Sequence, residues 1–504
     1  MTFDRSGLLA LLSSFGTAGV CVATAALVPS LDGYLPWHPG EPVPVVRVLA
    51  PQRGARVVET ASGDLEVAIA PPPAALAVVP AATVPGGPTT ARPPGVPTAL
   101  VDADSRGMDA FYRALAEAET GRGLARASQW GDSTIAADGI SGTVRRRLQD
   151  RYGNGGPGYL SAGLDPQWSM RLDVAVVRKG EWTTQSLLNG GGEARYGFGG
   201  IVSTAAADAS VSFYAPKGSD GKRIPMHRFE VYYQANPAGV SWWSALSGRG
   251  AGGGSANAAA AVDRFSAADR PDGYTSASIG ASADGPATFY GIVMETAGPG
   301  VVWDALGVVG VGTRSFVQSG RKHLAAQVAR RKPDLTVVML GGNELGLPSL
   351  LKGDPTEYAG QYADTLGRLR AGAPEAGCLI VTPLDQGTRS GGAPRSKPGL
   401  AAAIAAERAV ADAWGCAFWD AQAAMGGPDS IVRWAALRPP LAWSDLLHLS
   451  ETGQDIIGQL LADAIDAGYT AWKAKGGTSR PRPPPPGPPR APAAPAPLPE
   501  ASSP

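Results

Sequence analysis

Histidine is the scarcest chemically useful residue of this chain: 504 residues hold four, His38, His227, His323 and His448. They are dispersed, and the three cysteines, Cys21, Cys378 and Cys416, form no pair at ligand spacing, so no zinc or other metal site is expected. Three cysteines are also too few for a disulfide framework. Cys378 and Cys416 each lead a predicted strand; a bridge is open to them, but two buried thiols are the expectation. An excess of one charge is missing too. The 44 Lys and Arg balance the 44 Asp and Glu, so no basic face is offered to nucleic acid and no acidic run to solvent. No Gly-x-Ser-x-Gly elbow is present, which argues against an ordinary α/β-hydrolase. The runs from Gly153 to Gly158 and from Gly248 to Gly253 match a dinucleotide pattern without a strand before and a helix after it, so no cofactor is expected.

Glycine and proline, 67 and 45 residues, are by contrast abundant and concentrated. Gly7 to Val28 is an uncharged, mainly apolar stretch behind Arg5, long enough to span a bilayer. Ala23-Thr24-Ala25 offers a small-residue cleavage pattern. Residues 1–28 are therefore expected to act as a signal peptide or a membrane anchor, with inner-membrane association through residues 7–28 if uncleaved. The product is then exported: periplasmic, secreted or anchored facing outward. Residues 29–100 read as a linker region, extended from Pro71 to Pro97. Two strand-like runs within it, Val45 to Leu49 and Leu65 to Ile69, allow a small hairpin. Residues 476–504 form a Pro-rich tail that cannot bury enough surface to fold.

Between these arms the texture changes twice. Residues 101–163 give a helix from Met108, a strand from Leu124 to Trp130, and a helix from Ser133 to about Tyr152. Residues 164–298 break into short alternating runs cut by Gly and Asn, as in an antiparallel β domain. Residues 299–475 return to alternating strands and helices. The strands are expected at 301–306, 335–340, 378–384 and 417–420; the helices at 316–330, 356–371, 400–414 and 452–473. The expected fold is one three-layer α/β/α domain on a parallel sheet, interrupted by an antiparallel β-sandwich-like insert.

A serine nucleophile needs a base, and the base a carboxylate to orient it. Only His448 carries an acid three residues upstream, Asp445, and it precedes a helix-start signal at Thr452-x-x-Asp455. Ser133, in Gly131-Asp132-Ser133, falls where a strand ends and a helix begins, the usual place of reactive groups on an α/β sheet; capping of the helix is the bland alternative. Asn343, in Gly341-Gly342-Asn343-Glu344, follows an apolar strand and offers an uncharged donor. Gly310 follows the preceding strand, with Gly312 its close competitor, and a missing side chain lets its N–H approach a substrate. Turn chemistry would explain each singly.

In this order the residues resemble the SGNH, or GDSL-type, hydrolases, whose blocks hold a Ser, a Gly, an Asn and an Asp-x-x-His. The resemblance covers 101–163 and 299–475 and extends to Arg145-Arg-Arg-Leu-Gln-Asp-Arg-Tyr-Gly, Trp303-Asp-Ala-Leu-Gly and Leu447-His-Leu-Ser-Glu-Thr-Gly. It implies Ser133 as nucleophile, His448 as base and Asp445 as its orienter. The oxyanion hole would be the Ser133 N–H, the Gly310 N–H and the Asn343 side chain. Val309 departs from the polar residue common before that Gly, and Glu344 from the commoner Asp. The insert after the first block is similar to the arrangement in bacterial peptidoglycan O-acetylesterases, where a carbohydrate-binding-module-like β domain interrupts the fold. The implied activity is removal of O-acetyl groups from a cell-envelope polysaccharide, the substrate being the one expected partner. A polysaccharide O-acetyltransferase, a lysophospholipase or thioesterase, and an inactive glycan-binding protein are the alternatives. Trp168, Trp182, Trp242, Trp243 and Tyr290 are candidates to stack on sugars or to fill the insert's core. The insert is expected to hold polymer by remote binding energy and to take no part in the chemistry.

Overall fold

The computed structural model describes residues 55–59, 65–69, 95–102, 105–163, 168–188, 195–235, 241–255, 261–317, 319–389 and 392–477. The apolar stretch 7–28, the run Val45 to Leu49 and the tail from Arg480 lie outside the described residues. Among the described residues no helix is long and apolar enough to cross a membrane.

Five parallel strands form the central sheet, in the order Gly300–Gly307, Leu124–Gly131, Leu335–Met339, Gly377–Val381 and Ala417–Trp419. Leu335–Met339 is apolar but for Thr336 and shows no alternation, because both of its faces are covered. Leu335, Val337 and Met339 enter one core, Val338 and Leu340 the other. The first core lies under the helices Asp109–Glu119, Gly139–Tyr152 and Glu451–Ala474, and the second under Arg321–Arg331, Thr356–Arg370 and Leu400–Trp414. Each fully buried aliphatic side chain there stabilises the layering by roughly 1.5–3 kcal/mol.

Local differences from the expected elements have local causes. The helix after Ser133 breaks into Ser133–Ala136 and Gly139–Tyr152 because Asp138 takes a left-handed conformation, φ 55°. That turn buries the Asp138 carboxylate, which accepts from Leu172 N at 2.8 Å and pairs with Arg145 at 2.7 Å. Asp173 pairs with both Arg145 and Arg171 at 2.9 Å. An arginine from a sequence-basic helix is thus spent on fastening the first residues of the insert. The helix expected at 316–330 is also two, Thr313–Val317 and Arg321–Arg331. The last helix is capped by Ser450, whose Oγ accepts from Gly453 N at 3.3 Å, and not by Thr452. Asp455 pairs instead with Arg146.

The cysteines correct the expectation of two thiols: Cys378 and Cys416 form a disulfide. Leu379 stands opposite Ala417 in the parallel register, so the residue before each meets the other, with Cα atoms 4.7 Å apart.

The strands between 158 and 295 pair antiparallel in two sheets. One holds 175–179, 210–214, 276–281, 241–246 and 249–255, and is extended by the hairpin Ala55–Glu59 and Leu65–Ile69 from the linker region. The other holds 262–274, 226–235, 287–295, 201–205 and 182–186, with 158–161 beside 287–295. Their facing sides share a core that includes Val211, Phe213, Ile279, Phe229, Val231 and Phe289. The second sheet's other side packs Tyr159, Tyr232 and Tyr290 into the α/β domain beside Trp130 and Leu306. Entry and exit of the sandwich run together: Val301 N donates to Gly153 O at 2.8 Å and Gly155 N to Val301 O at 3.0 Å.

Candidate active site

The sheet's carboxyl edge brings the separated motifs together. Strand Leu124–Gly131 ends on a glycine for a steric reason. A Cβ on Gly131 would lie 2.3 Å from Ile135 Cγ1 and 2.9 Å from Met339 O, so only glycine lets the chain turn at once into Ser133. Asp132 caps that turn, accepting from Thr134 N at 2.9 Å, and burial pushes its carboxyl above the usual range. Its role is local; the serine hydroxyl is left facing outward.

Ser133 Oγ lies 3.1 Å from His448 Nε2. Behind the ring, His448 Nδ1 is 2.8 Å from Asp445 Oδ2, and Asp445 Oδ1 accepts from Leu447 N at 2.9 Å and His448 N at 3.1 Å. The loop turns tightly because Leu446 adopts a positive φ of 56° while its side chain is buried in the first core. The hydrogen bond to Asp445 raises the His448 pKa above its ordinary value; burial opposes this, and the charges of Asp445 and Asp132 add to it. Burial pushes Asp445 the other way, but the donors from His448 and the two backbone N–H groups hold it below its usual range. An ionised carboxylate therefore stands ready to steady an imidazolium, which is what proton uptake from a serine requires.

Gly310 and Asn343 follow the two strands that pair with Leu124–Gly131 on either side. Gly310 sits in the turn after 300–307 with φ 79°. Gly312 N is committed to Ser315 Oγ at 3.2 Å. Asn343 is exposed; its Nδ2 gives one hydrogen to Val311 O at 2.7 Å, which orients the amide and leaves its second hydrogen for a ligand. Glu344 is buried and accepts from Thr313 N and from Thr313 Oγ1, tying the two turns together. Burial pushes its carboxyl upward.

The other two described histidines are committed elsewhere. His323 Nδ1 is 2.8 Å from Asp263 Oδ2 and its Nε2 meets Tyr196 O, so it joins a helix to the sandwich. His227 Nδ1 accepts from Ala297 N at 3.2 Å. His38 lies outside the described residues. Trp242, from the list of possible sugar-stacking residues, is buried in the sandwich core, as is Tyr290 at the domain junction; Trp243 is 37% exposed.

Spacing did not point to several neighbours of the site. Lys397, half-buried, donates from Nζ to Gln386 Oε1 at 2.9 Å and from its backbone N to Gln386 O at 2.7 Å. Gln386 Nε2 packs on Gly342, where a Cβ would be only 2.4 Å away. Gly387 N donates to Leu446 O at 2.7 Å. This segment thus braces the histidine loop and the Asn343 turn together. Burial lowers the Lys397 pKa, the charge of Asp445 raises it, and its own charge acts to lower that of His448. The available signal was placement after a central strand, where α/β proteins gather ligand contacts. The sandwich also reaches the site. Trp168 O accepts from Val309 N at 3.0 Å, and Leu188 lies on Gly310. The insert is therefore not remote from the proposed chemistry.

Residues 271–456 match the GDSL-like lipase/acylhydrolase family. Among solved structures, a peptidoglycan O-acetylesterase is similar over 74% of this chain and 99% of its own, at 24% identity and a TM-score of 0.61. The likeness shows a shared fold over that span. An acetylxylan esterase from Geobacillus stearothermophilus (22% identity, 33% of this chain and 73% of its own) and a family two carbohydrate esterase from Clostridium thermocellum (10%, 59% and 100%) each have a TM-score of 0.25. No curated protein sequence matches the chain.

Proposed function

From the premise that this chain carries a GDSL-like, SGNH-type domain and is a serine ester hydrolase, we propose that it removes O-acetyl groups from a cell-envelope polysaccharide, with peptidoglycan the first substrate to test. The observation that carries the reading is the contact of Ser133 Oγ with His448 Nε2 at 3.1 Å, with Asp445 2.8 Å behind the ring. The likeness to a peptidoglycan O-acetylesterase over 99% of that chain supports the choice of substrate.

In this reading Ser133 Oγ attacks the ester carbonyl as its proton passes to His448 Nε2. The oxyanion is met by the Ser133 N–H, the Gly310 N–H and the second hydrogen of Asn343 Nδ2. Gly310 is preferred to Gly312 because the latter's N–H is already given to Ser315. The sugar oxygen leaves with the proton from His448, an acetyl-serine remains, and water activated by the same histidine releases acetate. Asp445 holds the ring with Nδ1 protonated and balances its positive charge.

Export is part of the proposal. The apolar stretch 7–28 and the disulfide Cys378–Cys416 both favour an oxidising compartment. A reporter enzyme active only outside the cytoplasm, fused after residue 100, should be active; an inactive but intact fusion would refute export. The test of function is acetate release from O-acetylated peptidoglycan by the full chain beside Ser133→Ala. Release by the first and not the second is expected. Acetyl transfer to an added sugar in place of release would make the chain a transferase, and no release from any acetylated glycan would overturn the substrate class.

A further inference from the structure

Two apolar side chains stand exposed beside the proposed oxyanion turn: Leu188 at 44% and Val309 at 36%. A single exposed leucine is ordinary; the position of this one is not. Leu188 Cδ2 lies 2.9 Å, and Cδ1 3.4 Å, from where a Cβ on Gly310 would be, so its isobutyl group covers that glycine's α-carbon. The backbone beneath it is held. Leu187 is buried in the second core and donates from its N to Gly200 O at 3.0 Å, and Leu188 N donates to Ser186 Oγ at 3.3 Å. Val309 is fixed through its N–H on Trp168 O at 3.0 Å.

The tetrahedral adduct on Ser133 has four substituents, and three already have addresses. Ser133 Oγ is the bond to the enzyme. The oxyanion faces Gly310 and Asn343. The leaving oxygen must face His448 Nε2, which arrives from the side of the first core on a loop anchored by Leu446 and Leu449. Leu188 and Val309 rise beside Leu187 and Val308, members of the second core, and so approach from the opposite side. The substituent left for that side is the acyl carbon chain. We infer that Leu188, backed by Val309, is the wall that restricts the acyl group of the ester to acetyl. A methyl group lies against it, whereas a longer chain has to displace it. This rests on the proposed esterase reading and narrows its substrate to short acyl esters. It also makes the β insert the source of acyl specificity.

The experiment measures kcat/KM of the full chain on nitrophenyl acetate, propanoate and butanoate for wild type, Leu188→Ala and Leu188→Trp, with Ser133→Ala as control. The readout is the butanoate-to-acetate ratio, which a loss of folding or a general loss of activity does not move. Leu188→Ala should raise the ratio by about tenfold or more, and Leu188→Trp should lower it, as expected where an apolar wall meets one or two methylenes. A ratio unchanged in both variants, with turnover still dependent on Ser133, overturns the wall and leaves the esterase reading intact. Repeating the series with methyl and benzyl acetates tests the side. Selectivity that shifts with the alcohol and not with the acyl chain places Leu188 on the leaving group and also overturns the inference. Turnover that survives in Ser133→Ala would instead sink the esterase reading itself.

Discussion

At the scale of single residues, the proposed triad makes distinguishable demands. Ser133→Ala and His448→Ala should each remove nearly all turnover of a small acetate ester, because nucleophile and base act as one unit. A variant keeping a tenth of wild-type activity would break that assignment. The pH profile is more discriminating. His448 must be neutral to accept a proton, so activity should rise with pH through its ionisation, which lies above the ordinary histidine value because of the hydrogen bond to Asp445. Asp445→Asn removes that bond's charge, so the acidic limb should move to lower pH while the rate falls. Lys397→Met should do the reverse: with a nearby cation gone the imidazolium is easier to form, and the limb moves to higher pH. Lys397→Arg keeps the charge and should hold the limb in place. Identical limbs in all four proteins would mean that the measured ionisation is not that of His448. Sequence made Ser133, Asp445 and His448 legible because local rules bind each to its neighbours: a glycine turn, an acid three residues away, a helix start. Lys397 and Leu188 carry no such local mark; only the pairing of distant strands brings them to the edge of the site.

At the scale of elements, buried charge clamps the sandwich to the α/β domain. Arg331 pairs with Asp304 at 2.7 Å and with Glu295 at 2.6 Å, and Arg126 reaches Glu295 at 2.8 Å. Burial alone would push Glu295 upward, but the two guanidinium groups hold it down at about 2 against an ordinary 4.5. A depressed carboxylate contributes stability that is fully present above its unfolded value and lost as pH falls through the folded one. The window therefore runs from about 4.5 down to about 2, and the shift corresponds to roughly 3 kcal/mol. Arg331→Met should cost about 3–5 kcal/mol at neutral pH, since it takes the guanidinium from buried Asp304 and leaves Glu295 to Arg126 alone, and the difference from wild type should shrink as pH falls from about 4.5 towards 2. Urea unfolding at several pH values measures this; a loss under 1 kcal/mol at pH 7 would show that the pair is not buried as described. The alternation of strands and helices was readable because burial on both faces leaves a strand almost wholly apolar, as in Leu335–Met339, where Thr336 is the one polar residue. The break at Asp138 was not: a left-handed aspartate is chosen for partners, Arg145 and Leu172, that only the folded chain supplies. The disulfide escaped for the same reason, since it follows from a strand register and not from cysteine spacing.

At the scale of the whole molecule, the relation of insert to enzyme decides what a deletion would do. Sequence texture separates residues 164–298 so cleanly that they read as an accessory holding polymer at a distance. Three contacts argue for a closer bond. Tyr159, Tyr232 and Tyr290 share a core with Trp130 and Leu306. Arg145, Asp138, Arg171 and Asp173 form a buried ionic group across the boundary. Trp168 and Leu188 support the turn that presents Gly310. Replacing 164–298 by a Gly-Ser linker would open an aromatic core to water and leave Asp138 and Arg145 without Arg171 and Asp173. The deletion should therefore lose cooperative thermal unfolding. If it stays folded, it should lose small-ester and polymer hydrolysis together, because the proposed oxyanion turn has lost its support. A folded deletion that hydrolyses nitrophenyl acetate within about tenfold of wild type while failing on peptidoglycan would restore the insert to remote binding energy alone. The contacts above would then be fastenings without a part in the reaction.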